Sequence, residues 1–327
     1  MALPLALPAC GGSAASLSTQ QQLDLTATGA VAAIREGRLT TVAYVSTLIA
    51  RAKQLAGMNA VITLNETGAL AAARAVDARR AAGQPLARLA GLPLLVKDNI
   101  NTSDLPTSGG TPALKAFQPK ANAPTLQALL DAGAIVLGKA NMHELAFGIT
   151  STNAATGFVK NPYDLNRIPG GSSGGTAAGI AARIAPAGLG TDTGGSTRVP
   201  SALCGTVGMR PSVGNGGAGR RYDGSGVIPI SHTRDTVGAM GRSVADVALL
   251  DSVIAGTPVP APASLRGLRL GLPRAYFWDN LDTELAAILN AAVQRLTDAG
   301  VVFVAAELAG IGALNDKVSF PVALYET

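Results

Sequence analysis

The chain has 327 residues, 47% of them hydrophobic and 14% charged, with a net charge of +5. That is ample for a sizeable core, in one large domain or two. The positive charge is spread out, with no basic run interleaved with aromatics, which argues against a nucleic-acid partner. Two cysteines give no disulfide framework, and no apolar run reaches the length of a transmembrane segment.

In chain order, residues 1–20 read as a leader. Leu3–Ser13 resembles the end of a lipoprotein signal peptide without the expected positive n-region, and also reads as a plain disordered leader. Localisation follows from that choice: cytoplasmic as the chain stands, periplasmic or lipid-anchored if residues 1–10 are the tail of a longer signal peptide. Thr40 and Thr41 precede Val42, Val45, Leu48 and Ile49, a spacing that predicts an amphipathic helix over about 41–56. A second helix is expected over 66–82, ended by Gly83. The apolar run 92–96 predicts a buried strand with Lys97 at its end. Helix 124–132 then meets Gly133 and a strand over 134–137. Helix 175–184 leads to strand 186–190. The Gly-rich stretch 213–226 reads as a loop. Near the end, strand 268–272, helix 282–298 and strand 301–305 make a βαβ unit. Alternating strands and helices predict an α/β fold: a central, mostly parallel or mixed sheet with helices on both faces.

Three local features carry chemistry. The first is Lys97. A buried lysine is costly unless paired or neutral, and burial lowers its pKa. A neutral lysine can serve as a base; alone, Lys97 also reads as a strand-end lysine reaching solvent or pairing with Asp98. The second is Gly170-Gly171-Ser172-Ser173-Gly174-Gly175. It is not a phosphate loop, because no Gly-Lys-Ser/Thr follows; Thr176-Ala177-Ala178 does. It also lacks the strand–GxGxxG–helix setting of a dinucleotide site. The third is Thr193-Gly194-Gly195-Ser196. Successive backbone N–H groups in a glycine turn can form an anion-binding nest, and one aimed at a tetrahedral intermediate is an oxyanion hole. Ser196 stands where a nucleophile belongs, and a serine hydroxyl needs a base to become one. The chain has only two histidines, His143 and His232.

Lys97, Ser172 and Ser196, separated by 75 and 24 residues, together resemble the signature of the amidase signature family, serine hydrolases with a Ser-Ser-Lys triad. The resemblance covers about residues 25–327. Within the family, Pro93–Thr102, Met142–Gly148 and Ile230–Asp235 look most like indoleacetamide and mandelamide hydrolases. The resemblance implies that Ser196 attacks the amide carbonyl and forms the acyl-enzyme. Ser172, in a cis peptide bond after Gly171, relays protons. Lys97 is the terminal base. The N–H groups of Thr193, Gly194, Gly195 and Ser196 form the oxyanion hole. Gly171 and Ser173 support the serine loop, and Asp192 and Arg198 brace the nucleophile loop. The implied fold is an α/β/α sandwich over 21–327.

The resemblance also implies an activity: cleavage of a small primary amide, an arylacetamide among the candidates, to a carboxylate and ammonia. No metal or organic cofactor is implied, and a homodimer is left open. Two alternatives stand beside it: the A subunit of an amidotransferase, the glutaminase component that needs partner subunits, and a catalytically impaired amide-binding homologue. Family members run well past the segment matching 322–327, so a C-terminal portion that adds to the sheet and walls the pocket is expected to be lacking here.

Overall fold

A computed structural model describes residues 17–214 and 219–319, with 321, 323 and 326. The leader reading at 3–13 lies outside the described residues. The chain divides into two compact units, Met1–Pro258 and Val259–Thr327.

The first unit opens with three helices, α1 (Thr19–Asp24), α2 (Ala27–Arg35) and α3 (Thr41–Gln54). The expected leader thus gives way to helix at Thr19, where Ser18 and Gln21 close a capping box. Thr40 caps α3 by accepting the Ala43 N–H, and α3 buries Tyr44, Val45, Leu48, Ile49 and Ala52, a stripe at helical spacing. β1 (Val61–Leu64) and α4 (Glu66–Ala81) follow. Next come β2 (Pro93–Lys97), α5 (Pro124–Asp131) and β3 (Ile135–Ala140). After them stand α6 (Gly174–Ala181), β4 (Ala187–Asp192), α7 (Arg198–Leu203), β5 (Val207–Gly208), β6 (Thr236–Gly241) and α8 (Val244–Ile254).

The six strands form one sheet in the order β1-β3-β2-β4-β6-β5. β2 runs parallel to both β3 and β4, and the other neighbours are antiparallel, so the sheet is mixed. Helices cover both faces. A Cβ on Gly188 would meet Thr176 of α6 at 2.8 Å, and one on Gly241 would meet Asp246 of α8 at 2.8 Å. Gly188 pairs with Met240, whose side chain faces opposite to a Cβ built on Gly241. α6 and α8 therefore lie on opposite faces.

This topology places the site. Because β2 and β4 are adjacent and parallel, both end at the same edge of the sheet. Lys97 and the 190–192 segment therefore emerge side by side. α6 begins at that edge with the serine loop as its entry.

The second unit is the expected βαβ arrangement. β7 (Arg269–Leu272) and β8 (Val302–Ala305) pair in parallel through α9 (Thr283–Asp298), which Asp282 caps, and α10 (Ile311–Val318) follows. It forms a separate two-stranded sheet.

Candidate active site

Lys97, at the end of β2, is completely buried, as is Ser172. Its ammonium nitrogen lies 2.7 Å from Ser172 Oγ and 2.7 Å from Thr191 Oγ1. Thr191 Oγ1 also accepts a hydrogen bond from Asn99 Nδ2 at 3.1 Å. Among the described residues, Lys97 forms no ion pair; all its partners are hydroxyls. Burial therefore pushes its pKa from 10.5 down to about 7, against the opposing pull of the Asp192 and Asp235 carboxylates. Near neutral pH a large share of Lys97 is then a free amine beside a serine hydroxyl, able to take its proton.

The two serine-containing loops lock together. The peptide bond between Gly171 and Ser172 is cis. The Ser173 N–H donates to the Ser196 carbonyl at 3.1 Å. Ser173 Oγ accepts the Thr191 N–H and donates to the Thr191 carbonyl. Ser173 thus ties the start of α6 to both β4 and the 193–198 loop. Ser196 is 7% exposed, so it is the member of the three that meets solvent. Its hydroxyl makes no hydrogen bond to the described residues.

The 193–198 loop is wound around one carboxylate. Asp192 is fully buried. It accepts N–H groups from Gly195 at 2.8 Å and Thr197 at 3.2 Å, and the Arg198 guanidinium binds it through two nitrogens. Arg210 adds a further contact. Burial alone would raise the Asp192 pKa; the Arg198 hydrogen bond and charge hold it below the usual carboxylate value. Gly195 sits at φ 124, open to glycine alone without strain, and this turns its N–H back onto Asp192. One of the four expected oxyanion donors is therefore occupied. The N–H groups of Gly194 and Ser196 make no hydrogen bond to the described residues and remain available. Thr193 directs its hydroxyl to Asp235.

Thr191, Asn99 and Ser151 were not singled out from sequence, and His143 only as one of two histidines. Thr191 and Asn99 flank Lys97, and His143 and Ser151 hold the Ser172 carbonyl, through the His143 N–H at 3.1 Å and Ser151 Oγ at 3.3 Å. The His143 ring faces Thr150, with burial lowering its pKa. Asp98 points away from Lys97 and pairs with Lys139 instead, at 3.5 Å. Thr191 carried only the signal of lying directly before Asp192 at a strand end.

The chain is similar to known proteins along most of its length. The amidase family model covers residues 43–327. Indoleacetamide hydrolase of Agrobacterium tumefaciens is 47% identical over 284 residues, 86% of this chain and 59% of the relative. Mandelamide hydrolase of Pseudomonas putida is 41% identical over 309 residues, 93% of this chain and 59% of the relative. Peptide amidase from Stenotrophomonas maltophilia superimposes with a TM-score of 0.79 at 34% identity, over 90% of this chain and 64% of that one. The chain thus spans about three-fifths of the length of the curated relatives it matches. No helix among the described residues is long and apolar enough to cross a membrane. By its sequence and its fold, the chain belongs to the amidase signature family.

Proposed function

We propose that this centre cleaves a small primary amide to a carboxylate and ammonia through an acyl-enzyme on Ser196. The observation that carries the reading is the 2.7 Å contact between a fully buried, ion-pair-free Lys97 and the Ser172 hydroxyl. In this reading neutral Lys97 takes the proton of Ser172, and Ser172 takes that of Ser196 as its Oγ bonds to the carbonyl carbon. The N–H groups of Gly194 and Ser196, with Thr193, receive the developing oxyanion; Gly195 serves by shaping the turn. The proton then returns through Ser172 to the leaving nitrogen, and water releases the acid by the same relay in reverse. Asp192 and Arg198 keep the loop in register, and Gly171 and Ser173 do the same for the serine loop. The similarity to indoleacetamide and mandelamide hydrolases favours an arylacetamide-type acyl group.

The test is ammonia release from the purified chain over a panel of aryl and alkyl primary amides and glutamine. Release from aryl amides, with none from Ser196→Ala and no labelling of that variant by a fluorophosphonate, is the expected result. Labelling of Ser196→Ala would remove Ser196 as nucleophile. Turnover of glutamine alone would favour the amidotransferase-subunit reading.

A further inference from the structure

We propose that Ser151 is a positioning residue for Ser172, stapling the serine loop into the shape in which the Ser172 hydroxyl meets Lys97. The inference rests on the relay role of Ser172 proposed above. Ser151 comes from a separate segment and is completely buried. Its single Oγ–H is shared between the Gly170 carbonyl at 2.9 Å and the Ser172 carbonyl at 3.3 Å, and its Oγ accepts the Gly174 N–H at 3.0 Å. One hydroxyl therefore bridges the backbone on both sides of Ser172. Gly174 opens α6, so its N–H has no partner within the helix, and Ser151 supplies one.

The surrounding residues are arranged around this contact. Ser151 adopts φ 55, a left-handed conformation that costs a non-glycine residue on the order of 1 kcal/mol or more. A Cβ on Gly174 would collide with Ser151 Oγ, and one on Gly171 would lie 2.7 Å from the Ser151 nitrogen. Two glycines of the serine loop are thus needed to admit Ser151. The His143 N–H, on the same Ser172 carbonyl, is the second point of fixation. With its backbone pinned at Gly170, Ser172 and Gly174, the loop has little freedom to swing Ser172 Oγ off Lys97. A displacement near 1 Å at such a site costs about a hundredfold in rate.

The test uses Ser151→Gly, which accepts φ 55 but loses Cβ with the hydroxyl, beside Ser151→Ala, which removes the hydroxyl alone. Rates are compared on a matched primary amide and nitrophenyl ester, in wild type and in Ser172→Ala. The amide needs its leaving nitrogen protonated and the ester does not. The expected result is a fall in kcat on the amide of about tenfold to a hundredfold, little change in KM, and a much smaller fall on the ester. Added to Ser172→Ala, the change should cost almost nothing more. Equal loss on both substrates, or full additivity with Ser172→Ala, would overturn the inference and leave Ser151 a structural residue. The amide-to-ester ratio is independent of how much enzyme is folded, so it decides even for a poorly folding variant, and Ser151→Ala provides a second one. If Ser172→Ala itself left the ratio unchanged, the relay reading would fail. Additivity of the two substitutions on kcat would then alone decide whether Ser151 acts through Ser172.

Discussion

Two fully buried lysines stand on neighbouring strands, and their partners assign them different work. Lys97 ends β2; Lys139 lies on β3 opposite Val96. Burial lowers both, to about 7 for Lys97 and about 8 for Lys139. Lys139 donates to the Ile100 carbonyl and Thr107 Oγ1 at 2.8 Å each and to Thr102 Oγ1 at 3.1 Å, and it pairs with Asp98. It is a cation that closes the 98–107 segment. Asp98 in turn accepts the Ser108 N–H, and its carbonyl accepts that of Gly109. Among the described residues Lys97 has hydroxyl partners only, those of Ser172 and Thr191. A depressed pKa is thus shared by a structural lysine and a candidate base, and it is the set of partners that separates them.

The sharpest way to break this comparison is to make the same substitution at both sites. Lys97→Met should lower kcat/KM by about 10²–10⁴-fold, the usual worth of a general base. Lys139→Met should cost far less per folded molecule, with active sites counted by fluorophosphonate labelling. Equal losses at the two positions would end the distinction.

Stability should move the other way. Lys139→Met leaves the Asp98 carboxylate buried without its cation, which costs about 3–5 kcal/mol; adding Asp98→Asn should recover part of it. Lys97→Met leaves no carboxylate unpaired. Because the folded-state pKa of Lys97 lies below its unfolded value of 10.5, the lysine penalises the fold fully below about pH 7 and less as pH rises toward 10.5. Removing it should therefore help the fold more at pH 6 than at pH 9, relative to wild type, as urea melts at the two pH values would record.

The smallest expected effect is at His143. Its ring faces Thr150, and its contact with Ser172 is made by the backbone N–H, which alanine keeps. His143→Ala should cost less than about a hundredfold, below the range of a general base. A loss matching that of Lys97→Met would favour a histidine-based mechanism.

Much of this arrangement was legible in the chain. Lys97 ends an apolar run; Ser172, Ser196, Asp192 and Arg198 stand in or beside glycine-rich stretches that mark tight backbone, and the long helices announce themselves by periodicity and caps. β6 was not legible, because Thr236-Val237-Gly238-Ala239-Met240-Gly241 carries two glycines and reads as punctuation; pairing with β4 makes it a strand. Ser151, Thr191, Asn99 and the Lys139–Asp98 pair were missed for a related reason. Each acts through a contact between segments distant in sequence, and a lone Ser, Thr or Asn has no local pattern that sets it apart. The occupied Gly195 N–H was hidden too, since only the folded turn shows which way each amide points.

The central claim is that Lys97 works as a neutral base. The pH dependence of kcat/KM on a neutral primary amide tests it most directly, because it reports groups of the free enzyme. The account predicts a rise that is half complete at about pH 7, as the buried ammonium loses its proton, and a plateau above it. A rate that peaks on the acid side, or one still climbing tenfold per pH unit at pH 9–10, as for a lysine at its ordinary value, would contradict it.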